Sequence, residues 1–523
     1  MHEIELKFQV PAAQRAALDR AVAGRTPQPR VRLQAAYCDT EQRALANARL
    51  ALRMRREGRQ WVQTLKGATD DGMARLEHNV GLGSGRDAPP LDPLRHAGTP
   101  AGVCLFAAIR GHPPPPLSVL YRTDIRRRIR VQRSALGRVE LAFDTGWITA
   151  GDSKLDVLEL EFELRAGSPL AVIAEARRWL PRFGLWLDTR SKSERGDLLA
   201  RGESMAPPRA AAPVVLTPQL SGAEALRRVL GACADQILAN ASQIASGEHA
   251  DEHVHQLRIG LRRLRSALRL FEGTPVAAGL QPAPESAPGA ALNGAAATLF
   301  RRLGGARDQA VIEADFAADL EAALRAAGVS GDAPRAAASE SAEVPATVLR
   351  EAASQGFLLD LLAATQAAVP EQSPEKPPEG PLVAPLAVPV HEPPLRDQLA
   401  RRLNRWHQRA AADAKRYGKL DDAGRHRLRK HVKRLRYALE FSAALFRPRD
   451  VRRYLAALRA AQERLGAIND VVMAMQAFRR SRDTDPRAWF ALGWLAARRE
   501  VLVAQALPDL KKFAGAKRFW RNG

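Results

Sequence analysis

The sequence predicts an α+β multidomain chain: an N-terminal closed antiparallel β barrel with flanking helices, then an all-α domain made of two related helical bundles. Three observations carry this expectation. Residues 1–200 hold short runs in which apolar and polar residues alternate with period 2. From about residue 218 the alternation stops, and Leu, Ala and Arg dominate at helical spacing. One helical motif then occurs twice, 171 residues apart.

The β runs, in order, are HEIELKFQV, LALRMRR, QWVQTLK, ARLEHNV, RRRIRVQ, RVELAFD and VLELEFELR, divided by turn signals such as EGR, ATDDG and SALG. AVIAEARRWLPRF reads as a helix. ESMAPPRAAAPVV has no periodicity and reads as a linker. The expected domains are 1–203 and 218–515, joined by 204–217, with helical halves at about 218–365 and 395–515. Pro-rich stretches at 273–289 and 369–394 read as loops or spacers. In the helical part, HQLRIGLRRLRSALRLF begins at His255 and HRLRKHVKRLRYALEFS at His426. Both read H-x-L-R-x3-[RK]-R-L-R-x-A-L. A second matched pair, RRLGGARDQAVI at 301 and ERLGAINDVVMA at 463, supports two related halves.

Composition bounds the partners. The 523 residues carry a formal net charge of +23, from 80 Lys+Arg against 57 Asp+Glu. Such a balance points to nucleic acid, an anionic membrane or polyphosphate. Aromatics at 5% weigh against a binder that stacks single-stranded bases. No apolar run is long enough to span a bilayer. The start lacks a basic region followed by an apolar core, so no secretion signal is expected. Cys38, Cys104 and Cys233 are far apart and odd in number, with no metal-type spacing. A reducing cytoplasm is the expected location.

The charged faces of the strands point to a site. Same-face neighbours on a strand sit about 6.5–7 Å apart. Glu3, Glu5 and Lys7 share one face, with Ile4, Leu6, Phe8 and Val10 between and beyond them. Glu159, Glu161 and Glu163 share another, and RVELAFD adds Glu140 and Asp144. Basic residues keep the same period: Arg53 and Arg55, Lys66 with Val62 and Thr64, and Arg75 beside Glu77. In RTDIRRRIRV the alternation puts Arg126, Arg128 and Arg130 on one face and Arg127 among isoleucines. Any one of these faces alone reads most simply as wet surface. Together they suit a barrel with apolar residues outside and charge within. Clustered carboxylates repel unless protonated or metal-bound, and all-oxygen ligands suit Mg²⁺ or Mn²⁺. Clustered Arg and Lys call for an anion such as phosphate.

The ordered set E-x-E-x-K, Y-x-D-T at 37–40, L-R-x-R, T-L-K, E-L-x-x-D and E-x-E-x-E resembles the CYTH domain, the triphosphate tunnel metalloenzyme fold. The resemblance covers about 1–200. It implies an eight-stranded tunnel that cleaves triphosphates with Mg²⁺ or Mn²⁺. Carried over by residue, it makes Glu3, Glu5, Asp144, Glu159, Glu161 and Glu163 metal-side acids. Lys7, Arg53, Arg55, Lys66, Arg75, Arg127 and Lys192 become triphosphate contacts, with Arg127 in conflict with the strand alternation. Glu5, Glu161 and Lys7 are the expected catalytic residues, Glu161 by orienting and activating water.

On a helix, Leu257, Leu261, Leu264, Leu268 and Phe271 form a core stripe at spacings 4, 3, 4 and 3. His255, Arg258, Arg262, Arg265 and Arg269 run beside it. The second copy repeats the pattern with Leu428, Val432, Leu435 and Leu439 inward, and His426, Arg429, Lys433 and Arg436 beside them. Arg263 and Arg434 lie about 100° further round, and Lys430 one turn after His426. Solvated helix faces mix signs, because like charges at i,i+4 repel; these stripes hold no acid before Glu440. They suit a polyanion laid along a groove. This half, about 218–515, resembles the CHAD domain. The resemblance implies binding of long-chain inorganic polyphosphate and association with polyphosphate granules.

The leading expectation is therefore a cytoplasmic inorganic triphosphatase acting on tripolyphosphate, fused to a polyphosphate-binding helical module. The alternatives are thiamine triphosphate hydrolysis, ATP cyclisation, or a non-catalytic polyphosphate scaffold.

Overall fold

The computed structural model describes residues 2–26, 28–68, 74–110, 115–272, 288–329, 332–336, 343–366 and 393–521. Both Pro-rich stretches fall largely outside the described residues. The strands are β1 (His2–Gln9), β2 (Val31–Asp39), β3 (Leu50–Glu57), β4 (Gln60–Ala68), β5 (Ala74–Ser84), β6 (Ser118–Ser134), β7 (Gly137–Ala150), β8 (Ser153–Gly167) and β9 (Trp186–Leu187). The α-helices are α1 (Arg15–Ala23), α2 (Ala44–Asn47), α3 (Pro100–Ala108), α4 (Pro169–Phe183), α5 (Lys192–Ala200), α6 (Gly222–Ser246), α7 (Asp251–Leu270), α8 (Pro288–Arg302), α9 (Gly304–Ala326), α10 (Pro345–Arg350), α11 (Ala352–Gln366), α12 (Leu395–Lys415), α13 (Asp422–Ser442), α14 (Pro448–Ser481) and α15 (Ala488–Ala514). Contacts group the chain into two units. One holds Met1–Ala210, Ala234–Leu257 and Pro345–Gln366; the other holds Ala211–Cys233, Arg258–Val344 and Ala367–Gly523.

The first unit is built on one antiparallel sheet in the order β5-β4-β3-β2-β6-β7-β8-β1-β9, and β5 also pairs with β1. The expected closed eight-stranded barrel is corrected here. Among the described residues the sheet has nine strands, and its ends meet over three pairs: His2↔Leu76, Glu3↔Arg75 and Ile4↔Ala74. The reason is that β9 takes the rest of the same β1 edge, at Phe8 and Gln9.

Alternation decides which face is which. Leu52 and Leu65 are buried with Leu105 and Ile109 around α3. Phe8 packs edge-on against Phe162, which meets Trp179 of α4. These apolar faces leave Arg53, Arg55, Lys66, Glu5 and Lys7 on the other side, lining a cavity of about 1040 Å³. A second apolar cluster, Leu33, Tyr37, Tyr121, Ile125, Ile148 and Val157, packs with Leu199 of α5. Segment 204–216 is irregular, as expected of a linker, but it is anchored: Arg209 N donates to Asn240 Oδ1 (3.1 Å) and Ala206 N to Gln243 Oε1 (3.2 Å).

The second unit is helical. Of the expected core stripe, Leu261, Leu264, Leu428, Val432, Leu435 and Leu439 are fully buried, while Leu268 is half-buried. Phe316, Leu320 and Leu324 of α9 pack with Val471 and Phe478 of α14 and Leu495 of α15.

Candidate active site and anion groove

Register assembles the acids in rows. Glu5 of β1 lies opposite Glu163 of β8, which lies opposite Glu140 of β7. In the next row Lys7 faces Glu161; in the next, Gln9 faces Glu159, which faces Asp144. Opposed side chains in such a ladder have Cβ atoms about 4.5–5.5 Å apart, so strands distant in sequence deliver one patch. One oxygen from each of Asp144, Glu159 and Glu161 lies within 4.8 Å of the others.

The patch is densely paired. Arg127 Nε and Nη2 donate to Asp144 Oδ1 and Oδ2, both at 2.7 Å, and Nη2 also reaches Glu161. Lys192 Nζ lies 2.7 Å from Asp144 Oδ2 and 2.8 Å from Glu161 Oε1, and pairs with Glu159. Arg195 pairs with Glu159 from the buried side. Burial alone would raise the Glu161 carboxyl, but Lys192, Arg127 and Lys7 hold it well below the usual range. In the upper row, burial, with help from Glu140 and Glu5, pushes Glu163 up against the opposing pull of Arg165.

The opposite wall is basic. There Lys66 pairs with Glu77 (2.9 Å), while Lys7 lies among the acids of β1 and β8 and donates to Glu5 (2.8 Å). Arg53 Nη1 donates to Tyr37 Oη (3.1 Å), and Tyr37 stacks on Tyr121 with centroids 4.8 Å apart. Burial and the Arg53 charge bring Arg55 down to about 10, despite a pair with Glu57. Its Nε is buried without an acceptor among the described residues. Cations gathered on one wall of a cavity are suited to an oxyanion.

Several expectations change. Arg127, not Arg126 and Arg128, faces the cavity, and β6 runs against β7 from Arg122 to Ser134 without a bulge. The outward arginines are used on α1: Arg128 donates to Asp19 (2.9 Å) and Arg130 to the Ala21 carbonyl (2.7 Å). Lys192 and Arg127, expected as phosphate contacts, line the cavity and pair there with the acids. Glu3 and Arg75 are described by backbone pairing alone.

Lys192 is set by the start of α5. Ser191 Oγ accepts from Glu194 N (3.1 Å), and the Glu194 carboxylate accepts from Ser191 N (2.7 Å), a capping box that fixes the first turn. Gly196 lets that helix meet Tyr121, whose ring lies 2.3 Å from where a Cβ would stand. Asp39 of the Y-x-D-T motif is structural: it accepts from the N–H groups of Thr40, Leu45 and Ala46 at 2.7–2.8 Å.

In the second unit the basic stripe survives in part. Arg258 and Arg262 lie over the Phe300 ring, at 4.8 and 5.6 Å. Burial, then Arg262 and Arg429, push Lys433 down to about 6, with Asp470 opposing. Burial, then Arg269, Arg265 and Arg409, bring Arg434 down to about 10. His426 meets Asn469 Oδ1 at 3.2 Å, Arg265 donates to Asn293 (3.1 Å), and Lys430 is exposed. His255 is half-buried and groups with the first unit. Two expected polyanion contacts are committed elsewhere. Arg263 is buried, over Phe441 at 4.9 Å and 3.4 Å from Glu440. Arg436 donates to Glu440 (2.8 Å) and Gln462 (2.6 Å).

Residues 1–185 match the family model of the CYTH domain, and residues 228–479 match that of the CHAD domain. The chain is a fusion of a CYTH domain and a CHAD domain. An inorganic triphosphatase of Haemophilus influenzae is 28% identical over 166 residues, 31% of this CYTH–CHAD chain. The match spans 44% of that relative, so the chain covers less than half its length. The crystal structure of a CHAD domain from the plant Ricinus communis is 27% identical, covering 60% of this chain and 98% of its own, with a TM-score of 0.42. A Hippeastrum protein with a dominant triphosphatase activity is 17% identical, covering 39% of this chain and 97% of its own, with a TM-score of 0.28.

Arg195 of the CYTH part and Phe300 of the CHAD part join the sites without having been singled out in the sequence. Arg195 lies in RSKSERG at i+3 from Lys192, on the same face of α5, which is the signal that could have found it. Phe300 carries no comparable signal.

Proposed function

We propose that the CYTH part hydrolyses inorganic tripolyphosphate with a divalent cation, and that the CHAD part binds inorganic polyphosphate. One observation carries the first half: Lys7, Arg53, Arg55 and Lys66 share a single cavity with Glu5, Asp144, Glu161 and Glu163. A wall of bases opposite a wall of acids is complementary to a phosphate chain that bears a cation on its other side. The activity of the Haemophilus influenzae relative points the same way.

The donor set fits Mg²⁺ or Mn²⁺. Asp144, Glu159 and Glu161 offer hard oxygens that converge, and they already surround one cation, the Lys192 ammonium. Glu3, Glu5 and Glu163 are the remaining acids expected to serve it. When bound there, the cation supplies charge neutralisation and Lewis acidity toward phosphate oxygens. The chain's own residues do the rest. Arg53, Arg55, Lys66 and Lys7 hold the phosphate oxygens in line and offset the charge that develops on them. Glu161, held strongly ionised, is a persistent ligand and a weak base. Glu163, whose carboxyl is pushed up, is better suited to take a proton from the attacking water.

For the CHAD part, the carrying observation is Lys433, crowded by Arg262 and Arg429. The buried Nε of Arg262 has no acceptor among the described residues. Like charges are gathered at a cost that a bound polyanion removes. Among the described residues no helix is long and apolar enough to cross a membrane. On this reading the protein works in the cytoplasm, at polyphosphate granules, and long polyphosphate should displace DNA from it at moderate salt.

The test is phosphate release from tripolyphosphate, ATP and thiamine triphosphate, each with Mg²⁺ or Mn²⁺. Tripolyphosphate should give the highest kcat/KM. Faster thiamine triphosphate turnover, or ATP cyclisation, would replace the substrate, and no turnover on any would remove the enzyme reading.

A further inference from the structure

Lys192 gives the acid cluster a cation of its own. Its ammonium touches all three carboxylates whose oxygens converge: Asp144 at 2.7 Å, Glu161 at 2.8 Å, and Glu159. Asp144 and Glu159 are fully buried, and the Lys192 side chain is 12% exposed. Arg127 holds both oxygens of Asp144, sharing Oδ2 with Lys192, and Arg195 holds the other oxygen of Glu159. Three buried acids are therefore balanced by three bases. Without such balance the carboxylates would repel one another and protonate.

We propose that Lys192 is a resident counter-cation that holds the acid cluster together in the metal-free protein and must swing away before a divalent cation can bind there. This rests on the reading that Asp144, Glu159 and Glu161 hold a divalent cation. Lys192 and that cation claim the same oxygens, and two cations cannot share so small a space without strong repulsion. Of the three bases, Lys192 is the one built to leave. Arg127 is locked by a two-pronged grip on Asp144, and Arg195 approaches Glu159 from the buried side. The Lys192 ammonium ends a flexible four-carbon stem. That stem starts on the first residue of α5, where the Ser191–Glu194 capping box holds the backbone. The side chain can therefore withdraw while the helix stays in place. Metal affinity is then set by competition with a built-in lysine, below what three bare carboxylates would give.

The test uses the full chain and Mn²⁺ alone, with free Mn²⁺ followed by electron paramagnetic resonance. Lys192→Met should bind Mn²⁺ about tenfold or more tightly than the natural protein. A second measurement needs no variant: reductive methylation read by mass spectrometry should label Lys192 more when Mg²⁺ is saturating. Unchanged Mn²⁺ affinity in a folded Lys192→Met, or Lys192 labelling that Mg²⁺ leaves equal or lowers, overturns the inference. If the natural protein binds Mn²⁺ and the variant gains nothing, the counter-cation fails and the metal site stands. If neither binds Mn²⁺, both fall.

Discussion

Arg127 grips Asp144 with two hydrogen bonds of 2.7 Å, from the position directly opposite it on the β6–β7 ladder. Asp144 is fully buried, so the pair is one half of a charge balance that water cannot replace. Removing one partner of a buried pair costs about 3–5 kcal/mol. Arg127→Ala should lower unfolding stability by that order in urea titrations. Arg127→Lys should recover only part of it, since a single ammonium cannot reproduce the fork. A loss under about 1 kcal/mol for Arg127→Ala would mean the pair behaves as a surface bridge.

The Glu161 carboxyl is held well below its usual range by Lys192, Arg127 and Lys7, against the opposing effect of burial. In the unfolded chain it titrates near about 4.3. Its folded value is the lower of the two, so its contribution is complete above the unfolded value and is lost as pH falls below about 4. Glu161→Gln should flatten the fall in stability between about pH 4.5 and pH 2, measured by denaturant titration at each pH. An equally steep acid limb in the variant would count against this assignment.

Lys433 is pushed down to about 6 by burial and by Arg262 and Arg429. It is therefore largely neutral at pH 7.5 and should regain its proton when a polyanion neutralises the cluster. Polyphosphate binding should take up protons at pH 7.5 and weaken as pH rises above about 6. Calorimetry in two buffers of different ionisation enthalpy gives the number directly. Lys433→Met should abolish the uptake. Binding with no proton exchange in the natural protein would show that Lys433 is already charged.

His96 is fixed as neutral by its neighbours. Gln63 Oε1 accepts from Asp92 N (3.1 Å) and Arg95 Nη1 (2.9 Å), which turns the amide nitrogen toward His96 Nε2 at 3.0 Å. Nε2 must then accept, and Nδ1–H donates to His78 Nδ1 at 2.9 Å. Burial, His78 and Arg95 bring its pKa down to about 4. The unfolded chain binds this proton first, so stability should decline as pH falls from about 6.5 toward 4. Nitrogen NMR at pH 6 should report a neutral Nδ1–H imidazole. An imidazolium signal at that pH would contradict the network.

The strands with clean alternation were legible, because period 2 is a local property of eight or so residues. β2, VRLQAAYCD, was not among them: its paired alanines blur the two faces, and its place comes from ladders with β3 and β6. The Arg126–Arg128 run was misleading for a related reason. Charge occurs on both faces there, and outward Arg128 and Arg130 are satisfied by Asp19 and the Ala21 carbonyl, over a hundred residues away in sequence. The acids Glu5, Asp144, Glu159, Glu161 and Glu163 could be picked out one strand at a time. Their rows, and the insertion of Lys192 and Arg195 from α5, depend on register and on helix placement. Arg263, about 100° round from the basic stripe, was expected to meet polyphosphate, and Phe441 and Glu440 close over it.

The most direct measurement is phosphate release from tripolyphosphate with saturating Mn²⁺, the natural protein beside Glu159→Gln. The account predicts turnover in the natural protein and a fall of at least about a hundredfold in the variant, with the fold retained by circular dichroism. Undiminished turnover in a folded Glu159→Gln would contradict it.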